Sequence, residues 1–88
     1  MKVEHEQRED GGLFYIFLNG ENIAEMEYDL PGEQKMIITH TEVNEEHRGK
    51  KLGEALVENG VSFARNEQLE IVPVCSFAKS IINQKEKL

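Results

Sequence analysis

Two strand-like stretches, "KMIITHTEV" (Lys35–Val43) and "LEIVPV" (69–74), bracket a single amphipathic helix pattern. No other feature constrains the fold as much. The connection is too long for a hairpin and suits a right-handed crossover between parallel strands. The helix is predicted over 51–66. Leu52, Leu56 and Phe63 share one face with Ala55, Gly60 and Ala64 beside them, and Lys51, Glu54, Glu58, Ser62 and Arg65 fall largely away from it. Ahead of Asn44 the pattern is all strand. Residues 3–8 form a weakly patterned first candidate, and Gly11-Gly12 reads as a turn. "LFYIFLN" (13–19) is rich in aromatic and β-branched residues. Asn19-Gly20 is a tight-turn signal. "ENIAEMEYDL" then alternates Ile23, Glu25 and Glu27 against Ala24, Met26 and Tyr28, and Pro31-Gly32 marks the next turn. After the second crossover strand, Ser76 is the expected N-cap of a last helix, with Phe77, Ala78, Ile81 and Ile82 at helical spacing. The order is β-β-β-β-α-β-α. The expected class is α+β, a mixed sheet of about five strands with an antiparallel meander, one parallel crossover and two helices.

The 88 residues are expected to form one domain, 1–88. A lone Cys75 forms no internal disulfide and suits a reducing, cytoplasmic setting. The polar start "MKVEHEQRED" is unlike a secretory signal, and no apolar run approaches a membrane span. A net charge of −7 argues against general nucleic-acid binding and favours cationic partners. The scattered histidines and the single cysteine lack metal-ligand spacing, so no metal is expected.

Parallel strands joined by a helix leave a crevice at their carboxyl ends, where ligands bind. Those ends carry His40-Thr41-Glu42-Val43 and Pro73-Val74-Cys75, and the intervening loop is Arg48-Gly49-Lys50-Lys51-Leu52-Gly53. A helix N-terminus with glycines and three cations has the chemistry for phosphate. An ordinary helix start with solvated lysines is the alternative. The spacing is neither a Walker loop nor a dinucleotide fingerprint. By alternation His40 shares a face with Met36 and Ile38. It is either a half-buried strand histidine or a general base for an incoming ammonium. Cys75 is either a small buried apolar residue or, beside a helix N-terminus, a thiolate. His5 and His47 read as surface residues, Tyr15 and Tyr28 as packing residues, and Glu4, Glu6, Glu45 and Glu46 as solvated charge.

"HRGKKLGEALVENGVSFAR" resembles motif A of the GNAT acetyltransferase superfamily, [RQ]-x-x-G-x-[GA], with Arg48 first, Gly53 last and Lys51 in place of the middle glycine. His40-Thr41-Glu42-Val43 and Pro73-Val74-Cys75-Ser76-Phe77-Ala78 are similar to segments of a short, stand-alone GNAT-like subgroup, and the resemblance runs from about Leu13 to Ile82. It implies a GNAT-like fold that binds acetyl-CoA. The pyrophosphate would lie on Arg48, Gly49, Lys50, Lys51, Leu52 and Gly53. The pantetheine arm would run beside Thr41 and Val43, with Ser76 completing the cofactor set. The implied reaction is acetyl transfer to an amine, such as a polyamine or the lysine or N-terminal amine of a protein, with His40 and Cys75 as catalytic candidates. The subgroup lacks the helices that shape the acceptor pocket in longer relatives, and no tyrosine follows the last strand as general acid. The alternative is a non-catalytic acyl-CoA-binding or protein-interaction module. A negative, helical φ is expected at Lys51, and a left-handed backbone there would count against the cradle.

Overall fold

The computed structural model describes residues 2–86. In chain order it contains β1 (Glu4–Arg8), β2 (Gly11–Leu18), β3 (Glu21–Gly32), β4 (Lys35–Val43), a 3-10 turn at Glu45–His47, α1 (Leu52–Asn66), β5 (Glu70–Pro73) and α2 (Ser76–Glu86). The five strands form one sheet in sequence order. β1 to β4 are antiparallel, and β4 pairs with β5 in parallel, so the crossover expected from the sequence is present.

Two turns lie elsewhere than expected. Gly11 and Gly12 belong to β2, and the chain reverses at Glu9-Asp10. Gly12 is a place of close approach: a Cβ there would lie 2.6 Å from the Tyr28 hydroxyl. Pro31-Gly32 likewise ends β3, and the reversal falls on Glu33 and Gln34, both at φ 60. Gly32 pairs with Lys35 across this two-residue loop, a geometry that asks for left-handed residues at both central positions. Asn19-Gly20 makes the predicted turn, with φ 53 and 80.

The core lies between one face of the sheet and the two helices. Phe14, Ile16, Met26, Tyr28, Met36 and Ile38 are buried there against Leu52, Leu56, Val57, Ala64, Ala78 and Ile81. Gly60 brings α1 close to the sheet, since a Cβ at that position would sit 2.6 Å from Met26 Cε. At the β1 edge His5 is not simply solvated. Its ring stacks on Phe14 at 4.0 Å, meets Phe63 edge-on at 4.8 Å, and its Nε2 lies 2.5 Å from the Tyr28 hydroxyl. Burial lowers the His5 pKa and raises that of Tyr28.

A register shift in β4 moves one predicted site residue. Ile38 pairs with Tyr28, but His40 pairs with Glu27, so Thr39 is an extra residue opposite the partner strand. Strict alternation would set His40 beside Met36 and Ile38. The bulge turns it instead to the helix-free face with Glu27, and turns Thr41 to the core face opposite Met26. His40 is accordingly exposed.

Candidate active site

The cleft follows from unequal strand lengths. β4 and β5 pair only from Lys35↔Glu70 to Ile38↔Pro73. Pro73 ends β5, and the next two amides, Val74 and Cys75, both donate to the Ile38 carbonyl at 3.0 and 3.1 Å. That fork turns the chain into α2. β4 runs on to Val43, paired from His40 onward only with β3. Its other edge therefore borders an open cleft of about 720 Å³. The wall is the end of β4, from His40 to Val43. The floor is Arg48, Gly49, Lys51, Leu52 and Gly53 at the start of α1, and Phe77 of α2 closes one side.

Eight of the predicted residues thus meet in one place: His40, Thr41, Val43, Arg48, Gly49, Lys51, Leu52 and Gly53. Lys50, Cys75 and Ser76 do not line the cleft. The Lys50 ammonium lies 3.3 Å from His47 Nδ1. Arg48 also has a structural duty, its Nε donating to the Val43 carbonyl at 3.2 Å and tying the loop to the strand end. His47, Glu42 and Glu54, which sequence reasoning left out, line the cleft as well.

Lys51 overturns the expectation of helical φ. It is the N-cap of α1 and is left-handed, φ 61 and ψ 28, while its carbonyl accepts the Ala55 N–H at 3.1 Å. A side chain in place of the motif's middle glycine is expected to be tolerable only with negative φ, and Lys51 does not meet that condition. The geometry gives the reason for a glycine in the motif: the turn into the helix needs a left-handed residue there, and glycine takes that conformation at no steric cost. Lys51 adopts it under strain. Gly53, by contrast, is a packing glycine, because a Cβ would lie 2.5 Å from Phe77 Cζ. Phe77 was legible only as a core residue of the last helix. Its contact with Gly53 joins the side of the cleft to the floor.

Cys75 caps α2. Its carbonyl accepts the Lys79 N–H at 3.0 Å, so Cys75 is the N-cap and Ser76 is already helical. Burial pushes the Cys75 thiol pKa up, but the amides of Ala78 and Phe77 and the hydroxyl and amide of Thr41 together hold it below the ordinary value. The sulfur thus fills the role an N-cap oxygen usually takes. The Thr41 hydroxyl is buried and forms no hydrogen bond among the described residues. His40 has a different neighbour: its Nε2 is 3.6 Å from Glu42 Oε2, and no hydrogen bond joins it to Cys75 among the described residues. Among the described residues there is also no cluster of metal-ligating side chains and no helix long and apolar enough to cross a membrane.

The site is thus a parallel crossover splayed at its carboxyl end over a glycine-bearing helix start. Residues 13–88 match the family described as GCN5-related N-acetyl-transferase, and the chain belongs to that family. It is 27% identical over 85 residues to Protein NATD1 of Danio rerio, covering 96% of this chain and 76% of that protein. A Staphylococcus aureus protein described as GCN5-like, solved by NMR, superposes with a TM-score of 0.72 at 32% identity, covering 96% of this chain and 81% of the other. A Bacillus anthracis protein described as a streptothricin acetyltransferase, solved with acetyl coenzyme A, shares the fold at a TM-score of 0.68 and 13% identity, covering 89% of this chain and 47% of that one. The ribosomal-protein-alanine N-acetyltransferase of Brucella melitensis biovar Abortus gives 0.69 at 16% identity, and this chain, 88% covered, spans 62% of its length.

Proposed function

We propose that the cleft binds acetyl-CoA and that the chain, acting as one unit, transfers acetyl to an amine. The observation that carries this is the half-paired end of β4, open beside the start of α1. Its unpaired edge offers backbone donors and acceptors to an extended amide-bearing arm, as a missing strand would. The first amides of α1, with Arg48 and Lys51, offer an anion site for the pyrophosphate. Acetyl-CoA would supply an activated thioester. The Val43 amide would polarise its carbonyl, and His40 would take the proton from the incoming ammonium. Cys75 would serve as acid, base or acyl acceptor beside Thr41. The strained Lys51 weakens the cradle relative to one with glycine, but leaves the helix start available to an anion. The lone thiol fits a reducing, cytoplasmic setting.

A second reading is a non-catalytic acyl-CoA-binding module. It is favoured by the absence of a His40–Cys75 hydrogen bond and by the exposure of His40. Slow incubation with acetyl-CoA and a panel of polyamines, lysine peptides and N-terminal amines separates the two. Transfer lost in His40→Ala or Cys75→Ala supports the enzyme. A thermal upshift with acetyl-CoA but no transfer to any amine supports the module.

A further inference from the structure

The helices cover one face of the sheet, and on the other face the residues with side chains along β2 to β4 are largely unburied, although Gly11 is buried. Leu13, Tyr15, Glu25 and Ile37 are half-buried, and Phe17, Glu27, Asp29, His40 and Glu42 are exposed. The face combines two chemistries. Tyr15 and Phe17 meet edge-on at 5.4 Å, with Phe17 54% exposed, and Leu13 continues this apolar strip along β2. Carboxylates surround it: Glu4 and Glu6 on β1, Glu25, Glu27 and Asp29 on β3, and Glu42 on β4.

Register sets these side chains in rows across the strands. Glu4, Tyr15, Glu25 and Glu42 form one row, and Glu6, Leu13, Glu27 and His40 another. Glu25 and Glu42 are therefore directly opposed, an arrangement of like charges that costs stability unless a cation sits near. Local cations reach only half of these carboxylates: Lys2 lies 3.7 Å from Glu4, and His40 lies 3.6 Å from Glu42. Arg8 is engaged by Glu6 at 3.0 Å, Glu25 takes only an amide from Asn22 at 2.9 Å, and Glu27 and Asp29 have no ion pair among the described residues. A trough of about 300 Å³ runs past Glu25, Glu27 and Asp29, floored by Gly11 and bordered at one end by Arg8 and Asp10. That floor stays bare, since a Cβ on Gly11 would lie 2.5 Å from the Tyr28 carbonyl oxygen. The carboxylate row ends at Glu42, which with His40 also lines the large cleft.

Charge decides the occupant. A second copy of this face would repel the first, and anionic membranes or nucleic acids would be repelled as well. Lysine and arginine fit both chemistries: their stems cover apolar and aromatic surface while their charged ends reach carboxylates. We propose that this open sheet face docks an extended lysine- and arginine-rich segment of a partner protein, and that the row ending at Glu42 leads one of its amines to the cleft. Only that last step rests on the acetyl-transfer reading.

The test is an NMR titration of the full chain with a short alternating lysine–serine peptide, without acetyl-CoA. Amides of residues 13–17, 25–29 and 40–42 are expected to shift, those of 56–64 to stay, and the affinity to fall as salt rises. The triple variant Glu25→Gln, Glu27→Gln, Asp29→Asn keeps side-chain size at unburied positions. It is expected to fold with an unchanged helix-side spectrum and to bind about tenfold more weakly or worse. A glutamate–serine peptide should shift nothing. No response to the lysine peptide, equal binding by the folded triple variant, or shifts confined to the helix side would overturn the proposal. A parallel titration with acetyl-CoA keeps the readings apart. Shifts at 48–53 with a silent sheet face sink the docking and leave the acyl site. The reverse pattern sinks the acyl site and leaves the docking.

Discussion

Replacing Lys51 with glycine tests the reading of the loop at its most informative residue. Lys51 sits at φ 61 and ψ 28 as N-cap of α1. A residue with a Cβ pays about 1–2 kcal/mol to hold that conformation. Glycine avoids that cost but loses about 0.4–1 kcal/mol through the greater freedom of its unfolded chain. The difference favours Lys51→Gly by roughly 0.5–1 kcal/mol. In a domain of this size that is a rise in Tm of about 3–6 °C. Lys51→Val should move the other way by about 1 kcal/mol or more, because a β-branched side chain tolerates left-handed backbone least. Denaturant melts of the three proteins, with m-values compared to confirm two-state behaviour, supply the numbers. A destabilised glycine variant, or a neutral valine variant, would refute the claim that the turn itself demands a left-handed residue.

Three further outcomes follow from the packing and titration of the fold. Gly53→Ala drives a methyl into the Phe77 ring, so it should lower stability by about 1–3 kcal/mol, and the double change with Phe77→Leu should recover part of that loss in a double-mutant cycle. His5 has a pKa below its unfolded value, so the unfolded chain takes up the proton first as pH falls; stability tied to neutral His5 is present above about pH 6.5 and lost below it, and His5→Phe should flatten the slope of Tm between pH 7 and about pH 5.5. Cys75, held below its ordinary pKa, should be alkylated by iodoacetamide with a midpoint lower in pH than a free cysteine in the unfolded chain, and Thr41→Val should move that midpoint upward.

Patterns that report on a single element were readable from the chain. The crossover was legible because the period of the apolar residues changes from two to about four at the end of β4, with a connection only a parallel pair can use. The loop was legible because its residue types suit one chemistry. What escaped depended on contacts between elements. The bulge at Thr39 has no marker in "KMIITHTEV", yet it sends His40 to the opposite face from the one alternation assigns. Gly11 and Gly12 look like a turn in one dimension, and it takes the Glu6 carbonyl of β1 and the Tyr28 side chain and carbonyl of β3, all close by, to explain why they lie in a strand. Glu33 and Gln34 carry no turn signature, so Pro31-Gly32 drew the prediction although the register closed two residues later. Phe77 could not be tied to Gly53 without knowing how α2 returns across the start of α1.

The central claim is that the open edge of β4 and the start of α1 form one acetyl-CoA site. A crystal structure of the chain grown with acetyl-CoA tests it most directly. The pyrophosphate is expected on the backbone of 48–53, the pantetheine arm along 41–43, and the thioester carbonyl at the Val43 amide. Clear density for the cofactor anywhere else, or a cleft still filled only by water at millimolar acetyl-CoA, would contradict it.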